Sequence, residues 1–437
     1  MDKVKLKKVL CDAVDSVRGE VKAFADDIAA HPELGFFEER TSQKLGDSLE
    51  KLGLDVKRGL ARTGLRADMA GAAAGPRVAV IGELDGIVCR QHPLSDPETG
   101  ASHSCGHNLQ IAALYAAAAA LVKSSAMKEF AGSLSLMGLP AEEFIEVGRR
   151  TEMRERGELV YYGGKQEFVR LGLFDDVDMA MMVHAGDDAP EPGFSIPAGG
   201  NGFRIFMLRY EGRQAHAAAA PHLGVNALYA AVAGINAVNA LRETFRDEDH
   251  IRVHYIITKG GDSVNSVPDD VRLEGYVRAG KAEMIDGTFA KVIRAFKAGG
   301  EALGAKCHVT SIAGYMPHDA SQKLNAIFAD NADIVVGPEH VCRGTYFSAS
   351  TDMGDIAHLM PAIQPMAGGT TGALHSKDFR VTDFDAAVLT PAKVMLMTAA
   401  DLLCDGAEGA RGVLDGFKPV YTKEEYLEAM NSRFFSE

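Results

Sequence analysis

The stretch "RVAVIGELDG" (77–86) decides the fold class, because a short run of apolar and β-branched residues ends in acids and glycines. Such a run is typical of a buried strand that presents polar side chains at its carboxyl end. The runs "GSLSLMGLPAEE" (132–143) and "DDVDMAMMVHAG" (175–186) have the same form. The apolar segment 108–124 predicts a helix between the first two strands. This alternation predicts an α/β domain with a mostly parallel sheet, in which ligands bind beyond the strand ends.

The pattern changes after about residue 200. Residues 201–241 predict a strand, a turn and a helix, and residues 250–313 predict two strands, a helix and a final strand. This β-α-β-β-α-β order is typical of a ferredoxin-like α+β domain. We therefore expect a catalytic α/β domain over 1–197 and 314–437, interrupted by a ferredoxin-like insert over 198–313.

Composition and charge narrow the class of protein. The chain has 437 residues, 46% of them apolar and 24% charged, as is usual for a globular protein with two domains. Its net charge of −14 repels phosphate backbones, so we expect no nucleic-acid partner. The six cysteines lack paired spacing, which favours a reducing compartment over a disulfide framework. We find no secretory signal and no apolar run of about 20 residues, so we expect a cytoplasmic protein with no membrane partner.

Ligand-type side chains gather in the segments that follow the predicted strands: Cys105, His107, Glu142, Glu143, His184 and His375. Thiolate, imidazole and carboxylate groups together suit Zn²⁺ or a similar divalent ion. Neighbouring side chains in an extended backbone point to opposite sides, so one of the two glutamates could bind a metal while the other acts as a general base. Asp85 could accept the second N–H of a ligating imidazole. Each residue alone also fits an ordinary structural role, and the pattern leaves both interpretations open.

Several motifs carry a resemblance to a known family: "HPELGFFEERTS" (31–42), "SCGHN" (104–108), "LPAEE" (139–143), "GRQAHAAAAPHLGVNAL" (212–228), "NSVPDDVRLEGYVR" (265–278), "TDMGD" (351–355) and "GALHS" (372–376). In this order they resemble the M-twenty metallopeptidase family over nearly the whole chain. They are most similar to its amidohydrolase branch, which contains auxin-conjugate hydrolases and the p-aminobenzoyl-glutamate hydrolase subunit. The resemblance implies a metal-dependent hydrolase.

The resemblance also implies a role for each metal-site residue. Cys105 matches a thiolate that bridges two metals. His107 and Glu143 match the ligands of one metal, and His184 and His375 match those of the other. The implied cofactor is therefore Zn²⁺ or Mn²⁺, with one or two ions per subunit.

Further roles concern catalysis and substrate binding. Glu142 matches the catalytic base, and His216 resembles a histidine that reaches across a dimer interface to stabilise the oxyanion. Asn265 and Arg278 resemble residues that bind polar groups of the substrate, often a carboxylate. The insert itself resembles the family's lid, which also dimerises, so we expect a homodimer.

The sequence departs from the family in two places near the metals. Many relatives read C-G-H-D-x-H, whereas Asn108 and Gln110 occupy the last two named positions here. The strand motif "GELDG" (82–86) replaces the usual "RADMDA". These changes leave both one and two metals per subunit open.

We expect hydrolysis of a C–N bond in a small, carboxylate-bearing aromatic substrate such as an N-acyl or N-aroyl amino acid. The alternative is hydrolytic deamination of an electron-poor aromatic amine such as 5-nitroanthranilate, with release of ammonia. A non-catalytic binding protein with the same fold is a third interpretation, although a pure binder would have no use for Glu142 beside a complete ligand set.

Overall fold

A computed structural model describes residues 1–186 and 189–437. Within them the α-helices are α1 (Lys3–Ser16), α2 (Arg18–Ala29), α3 (Glu39–Lys51), α4 (His107–Ser124), α5 (Val147–Glu155), α6 (Gly164–Arg170), α7 (Ala227–Leu241), α8 (Ala282–Ala302), α9 (Gln322–Val336), α10 (Met353–Ala357), α11 (Thr390–Leu403), α12 (Glu408–Leu414) and α13 (Lys423–Ser432). The strands are β1 (Val56–Leu60), β2 (Gly64–Ala70), β3 (Ala73–Glu83), β4 (Ile87–Val88), β5 (Ala101–Ser102), β6 (Ala131–Leu139), β7 (Met179–Met181), β8 (His184–Ala185), β9 (Phe194–Gly200), β10 (Gly202–Glu211), β11 (Arg252–Lys259), β12 (Asp270–Ala279), β13 (Lys306–Ala313), β14 (His318–Asp319), β15 (Val341–Phe347), β16 (Ala362–Ile363), β17 (Met366–Ala367), β18 (Thr370–Thr371), β19 (Arg380–Val381) and β20 (Phe435–Ser436).

The chain forms two compact units. The first comprises residues 1–199, 319–346 and 355–421, and the second comprises residues 200–318, 347–354 and 422–437.

The main sheet of the first unit has the strand order β1-β2-β6-β3-β7-β16. Strands β6, β3, β7 and β16 pair in parallel, and β1 and β2 add an antiparallel edge. This confirms the predicted α/β class with a mostly parallel sheet. Because parallel strands have their carboxyl ends at one edge of the sheet, the residues that follow β3, β6 and β7 meet there.

Helix α4 forms the centre of the core of the first unit. Its residues from His107 to Leu121 are all buried, because it packs on β3 and is covered by α1, α2 and α11. Its many alanines let these neighbours approach closely, as a helix that is apolar on every face requires. Among the described residues, the segment Asp385–Leu403 is long and apolar enough to cross a membrane, but 83% of its apolar window is buried in the fold, as in a core helix.

The second unit contains the predicted ferredoxin-like order β10-α7-β11-β12-α8-β13. Its antiparallel sheet has the order β11-β12-β10-β13-β20, and α7 and α8 pack on the sheet around Phe206, Tyr210 and Phe296. β11 lies at one edge of this sheet.

The bounds of the second unit differ from those of the predicted insert. Residues 347–354 and 422–437 belong to this unit, whereas the predicted catalytic domain included both segments. The last segment joins the second unit through the short strand β20, in which Ser436 pairs with Thr310 of β13. A strand of two residues has no periodicity from which it could be predicted.

Candidate metal centre

The loop before α4 places Cys105 and His107 beside each other at the edge of the sheet. Gly106 between them has φ 85°, and a Cβ atom there would lie 2.8 Å from the Cβ atom of Ala185. Only glycine therefore fits this turn without strain. The backbone N–H of His375 donates to the carbonyl of Ser104 at 2.9 Å, which brings a distant loop to the same place.

The environment of His107 determines which ring nitrogen can bind a metal. Its Nδ1 donates to the carboxylate of Asp85 at 3.1 Å and lies 2.9 Å from the Asp85 carbonyl oxygen. These two acceptors hold a proton on Nδ1, so Nε2 is the nitrogen that is available to a metal. This Nε2 atom is buried and has no hydrogen-bond partner among the described residues. A buried polar atom without a hydrogen-bond partner fits a metal ligand.

Cys105 lies at the centre of a sulphur-containing set of donors. Its Sγ atom is 3.5 Å from Nε2 of His184 and 3.1 Å from Nε2 of His375. Oε1 of Glu143 is 3.1 Å from the same nitrogen of His375. Cys105, Glu143 and His375 offer atoms that all lie within 4.8 Å of one another, and so do Cys105, His107 and His184. Ligands at about 2.0–2.3 Å from a tetrahedral zinc ion are about 3.5 Å apart, so these spacings fit an ion beside Cys105.

His184 and His375 reach this set in different ways. His184 begins β8, which pairs in parallel with β17, and its Nδ1 hydrogen-bonds to the Ala185 carbonyl at 2.7 Å, which leaves Nε2 for a metal. His375 has φ 61°, an unfavourable conformation for a residue other than glycine. Such strain is often maintained at functional sites.

A second set of donors is richer in oxygen. Glu83, His107 and Glu142 each offer an atom within 4.8 Å of the other two. Oε2 of Glu83 is 3.2 Å from Nε2 of His107, and Oε2 of Glu142 is 3.9 Å from it. The thiol set and this set together could hold two ions.

Burial and neighbouring charges shift the pKa values of these groups. Burial, together with the Glu143 carboxylate, raises the pKa of Cys105 well above its ordinary value. Burial opposes ionisation of His107, but the charges of Cys105 and Glu83 and the hydrogen bond to Asp85 raise its pKa. Burial and the nearby His107 lower the pKa of His184. A metal that binds here must displace protons from Cys105 and His107.

Comparisons with known proteins agree with this geometry. Residues 199–302 match the peptidase dimerisation domain. The Xaa-Arg dipeptidase of Mus musculus is 29% identical over 442 residues, which cover 97% of this chain and 94% of that protein. A p-aminobenzoyl-glutamate hydrolase chain of Escherichia coli strain K12 is 33% identical over 288 residues, 63% of this chain and 53% of that protein. These matches confirm the predicted resemblance to the M-twenty metallopeptidase family.

A solved structure shares the fold of this chain. It is a dinuclear metal-binding peptidase from Bacillus subtilis, with a TM-score of 0.69 at 18% identity, covering 88% of this chain and 98% of that one. With the hydrolase relatives and the donor sets above, the family places the chain among metal-dependent hydrolases.

The structure brings one group of predicted residues together in the first unit: Asp85, Cys105, His107, Glu142, Glu143, His184 and His375. His216, Asn265 and Arg278 belong to the second unit. There the backbone N–H of Ala217 donates to the carbonyl of Asn265 at 2.9 Å, so His216 and Asn265 lie on neighbouring segments.

Two further buried residues, Glu83 and Lys165, lie at this site and were not among the predicted site residues. Both side chains are fully buried, and Nζ of Lys165 lies 2.5 Å from Oε1 of Glu83. The unusual motif "GELDG" was a signal for Glu83. No sequence signal pointed to Lys165, because a lysine in a polar segment such as "GGKQE" (163–167) is usually exposed to solvent.

Proposed function

We propose that this enzyme hydrolyses the C–N bond of a small amide, an N-acyl or N-aroyl amino acid, with metal-activated water and Glu142 as the general base. The observation that carries the proposal is the convergence of buried thiol, imidazole and carboxylate donors with the further carboxylate of Glu142, 3.9 Å from His107. A relative that is named a hydrolase of p-aminobenzoyl-glutamate supports an aryl amide as the substrate class.

The backbone gives the two adjacent glutamates different tasks. The N–H of Glu143 donates to Oδ2 of Asp85 at 2.9 Å, which ties that residue to the His107 side of the site. Ala141 before them has φ 52°, and its N–H donates to Glu38 at 2.8 Å. In this constrained turn Glu143 faces His375, and Glu142 faces His107. Glu142 can then take a proton from water and pass it to the leaving nitrogen.

The buried charges favour divalent ions. The buried cations in this region are Lys165 and Arg150. The buried carboxyl groups are more numerous: Glu83, Asp85, Glu142 and Glu143. Burying a charged group without a partner costs on the order of several kcal/mol. Divalent ions held by the two donor sets would balance this charge, polarise the scissile carbonyl and supply activated water near neutral pH. We propose Zn²⁺ or Mn²⁺.

The second unit supplies groups for substrate and oxyanion. Nδ1 of His216 accepts from the N–H groups of Ala218 and Ala219 at 3.2 and 3.1 Å, so its proton is on Nε2 and can be donated to an oxyanion. The Arg278 guanidinium lies over the rings of Phe203 and Tyr276 and donates to Ser350 at 3.2 Å. We propose that Arg278, with Asn265, binds the substrate carboxylate.

We also propose a homodimer through the second unit. β11 is an edge strand, and its apolar residues Ile256 and Ile257 are 54% and 44% exposed. Exposed apolar side chains on an unpaired edge usually mark a surface that another chain covers. The match to a peptidase dimerisation domain supports a dimer. We propose that His216 of one subunit serves the site of its partner.

A product screen tests the proposal. The metal-loaded enzyme is incubated with N-acyl amino acids, N-aroyl amino acids and 5-nitroanthranilate, beside the variant Glu142→Gln. We expect an amino acid and a carboxylate from the amides, and turnover reduced by about 10²–10⁴-fold in the variant, which keeps its metal. Ammonia from 5-nitroanthranilate without amide cleavage would overturn the substrate class. Full activity of the variant would overturn the role of Glu142.

A further inference from the structure

The two places where the sequence departs from its family touch each other in the structure. Glu83 ends β3, and Gln110 lies in the first turn of α4. Nε2 of Gln110 donates to Oε2 of Glu83 at 2.8 Å, and the backbone N–H of Glu83 donates to Oε1 of Gln110 at 3.3 Å. The two departures therefore form one local arrangement.

Lys165 completes this arrangement. Helix α6 begins so close to the end of β6 that a Cβ atom on Gly164 would lie 1.7 Å from the carbonyl oxygen of Pro140. This approach places the fully buried Lys165 with its Nζ 2.5 Å from Oε1 of Glu83. A buried ion pair is weak evidence for stabilisation, because the cost of removing both charges from water offsets their attraction. The ion pair between Lys165 and Glu83 is better explained by the orientation in which it holds the Glu83 carboxylate.

The second carboxylate oxygen of Glu83, Oε2, accepts from Gln110 and also points at the metal-binding nitrogen of His107. Lys165 binds Oε1, so Oε2 faces Nε2 of His107 at 3.2 Å. Once Nε2 of His107 presents its lone pair to a metal, the two facing atoms are both acceptors, and a cation between them satisfies both. Two ligands about 2.1 Å from one ion and at a right angle lie about 3.0 Å apart, which matches this spacing.

We propose that Glu83 is a direct ligand of the metal that His107 holds, and that Lys165 and Gln110 position its carboxylate. This inference rests on the proposed function, since it assumes that the site binds divalent ions. It makes this position rich in oxygen and the Cys105 position rich in sulphur and nitrogen. Carboxylate ligands suit Mn²⁺, whereas thiolate and imidazole suit Zn²⁺, so the two positions should differ in metal preference.

Metal titration tests the inference without relying on activity. Wild-type protein freed of metal is titrated with Co²⁺ and with Mn²⁺, with metal content, thiolate-to-cobalt absorption and Mn²⁺ paramagnetic resonance as the readouts. We expect two ions per chain in the wild type. In Glu83→Gln we expect one ion, with the thiolate-to-cobalt band retained and tight Mn²⁺ binding lost.

Further variants separate the outcomes. Lys165→Met and Gln110→Leu should weaken Mn²⁺ binding by about 10–100-fold, as for other residues that orient a ligand, and they carry the test if Glu83→Gln does not fold. Glu167→Gln is the matched control, because Glu167 is a buried carboxylate paired with Arg170 at 2.6 Å; it should bind two ions. Two ions and wild-type Mn²⁺ affinity in Glu83→Gln would overturn the inference alone. A wild-type protein that binds no metal would overturn the proposed function as well.

Discussion

Replacing Asp85 tests most directly how the protein orients the imidazole of His107 for metal binding. The carboxylate of Asp85 is fully buried and accepts from two donors, Nδ1 of His107 at 3.1 Å and the N–H of Glu143 at 2.9 Å. Although burial opposes ionisation of this carboxyl group, the hydrogen bond and charge of His107 lower the pKa of Asp85. Asp85 is therefore an anion that accepts only.

Replacing Asp85 by asparagine keeps the shape but changes one acceptor into a donor. The new NH₂ group must face either His107 or Glu143. If it faces His107, it favours a proton on Nε2, which blocks the metal-binding nitrogen; if it faces Glu143, two N–H groups oppose each other. Hydrogen bonds to charged groups contribute about 1.5–3 kcal/mol each. We expect metal affinity to fall by about 10–100-fold, or about 1.4–2.7 kcal/mol.

The assay is competition for Zn²⁺ with a chromophoric chelator, with circular dichroism to confirm that each variant is folded. Glu38→Gln is the matched control, because Glu38 is equally buried in the same region but binds Ala141 and Thr63. It should leave Zn²⁺ affinity within about twofold of the wild type. Wild-type Zn²⁺ affinity in folded Asp85→Asn would refute the orienting role of Asp85.

Three further predictions concern stability, the proposed action of His216 and the dimer. Burial and the charge of Asp85 raise the pKa of Glu38 to about 8 from its ordinary 4.5, so between these values the unfolded chain binds fewer protons and stability falls as pH rises. In urea unfolding, the free energy of unfolding of Glu38→Gln relative to that of the wild type should increase by on the order of 3 kcal/mol from pH 4 to pH 7. The same difference between the two proteins at both pH values would contradict the raised pKa. Mixing the inactive variants Glu142→Gln and His216→Ala should restore about a quarter of wild-type activity if His216 acts on the partner's site, whereas no recovery in demonstrated heterodimers would refute that action. Ile257→Lys on β11 should shift the protein from dimer to monomer in light scattering, while Val420→Lys, at another exposed apolar residue, should not; a wild-type protein that is monomeric would exclude the proposed dimer.

The periodicity of apolar residues and the polar residues at strand ends were sufficient to predict most of the fold and the group of ligand residues in the first unit. The β-branched run at 77–83 and the apolar helix at 108–124 have clear patterns, and parallel strands then require their following residues to meet. Cys105, Glu143 and His184 could therefore be grouped before any coordinates. The strand β20 could not be predicted, because its two residues pair through backbone groups that carry no sequence signal.

The contribution of Lys165 could not be predicted for a different reason. A lysine is ordinarily exposed, and its burial here depends on the close approach of α6 to Pro140 at Gly164, a tertiary contact. Glu83 was visible as a departure from the family motif, but only the structure shows that it meets Gln110 and faces His107. Departures from a motif are informative once their contacts are known.

The central claim is that buried side chains from distant loops of the first unit hold divalent ions. The most direct measurement is anomalous diffraction from crystals of the metal-loaded enzyme, collected on both sides of the metal absorption edge. We predict one anomalous peak within bonding distance of Cys105 Sγ and His184 Nε2, and a second beside His107 Nε2. Fully loaded crystals without a peak bonded to these atoms would contradict the account.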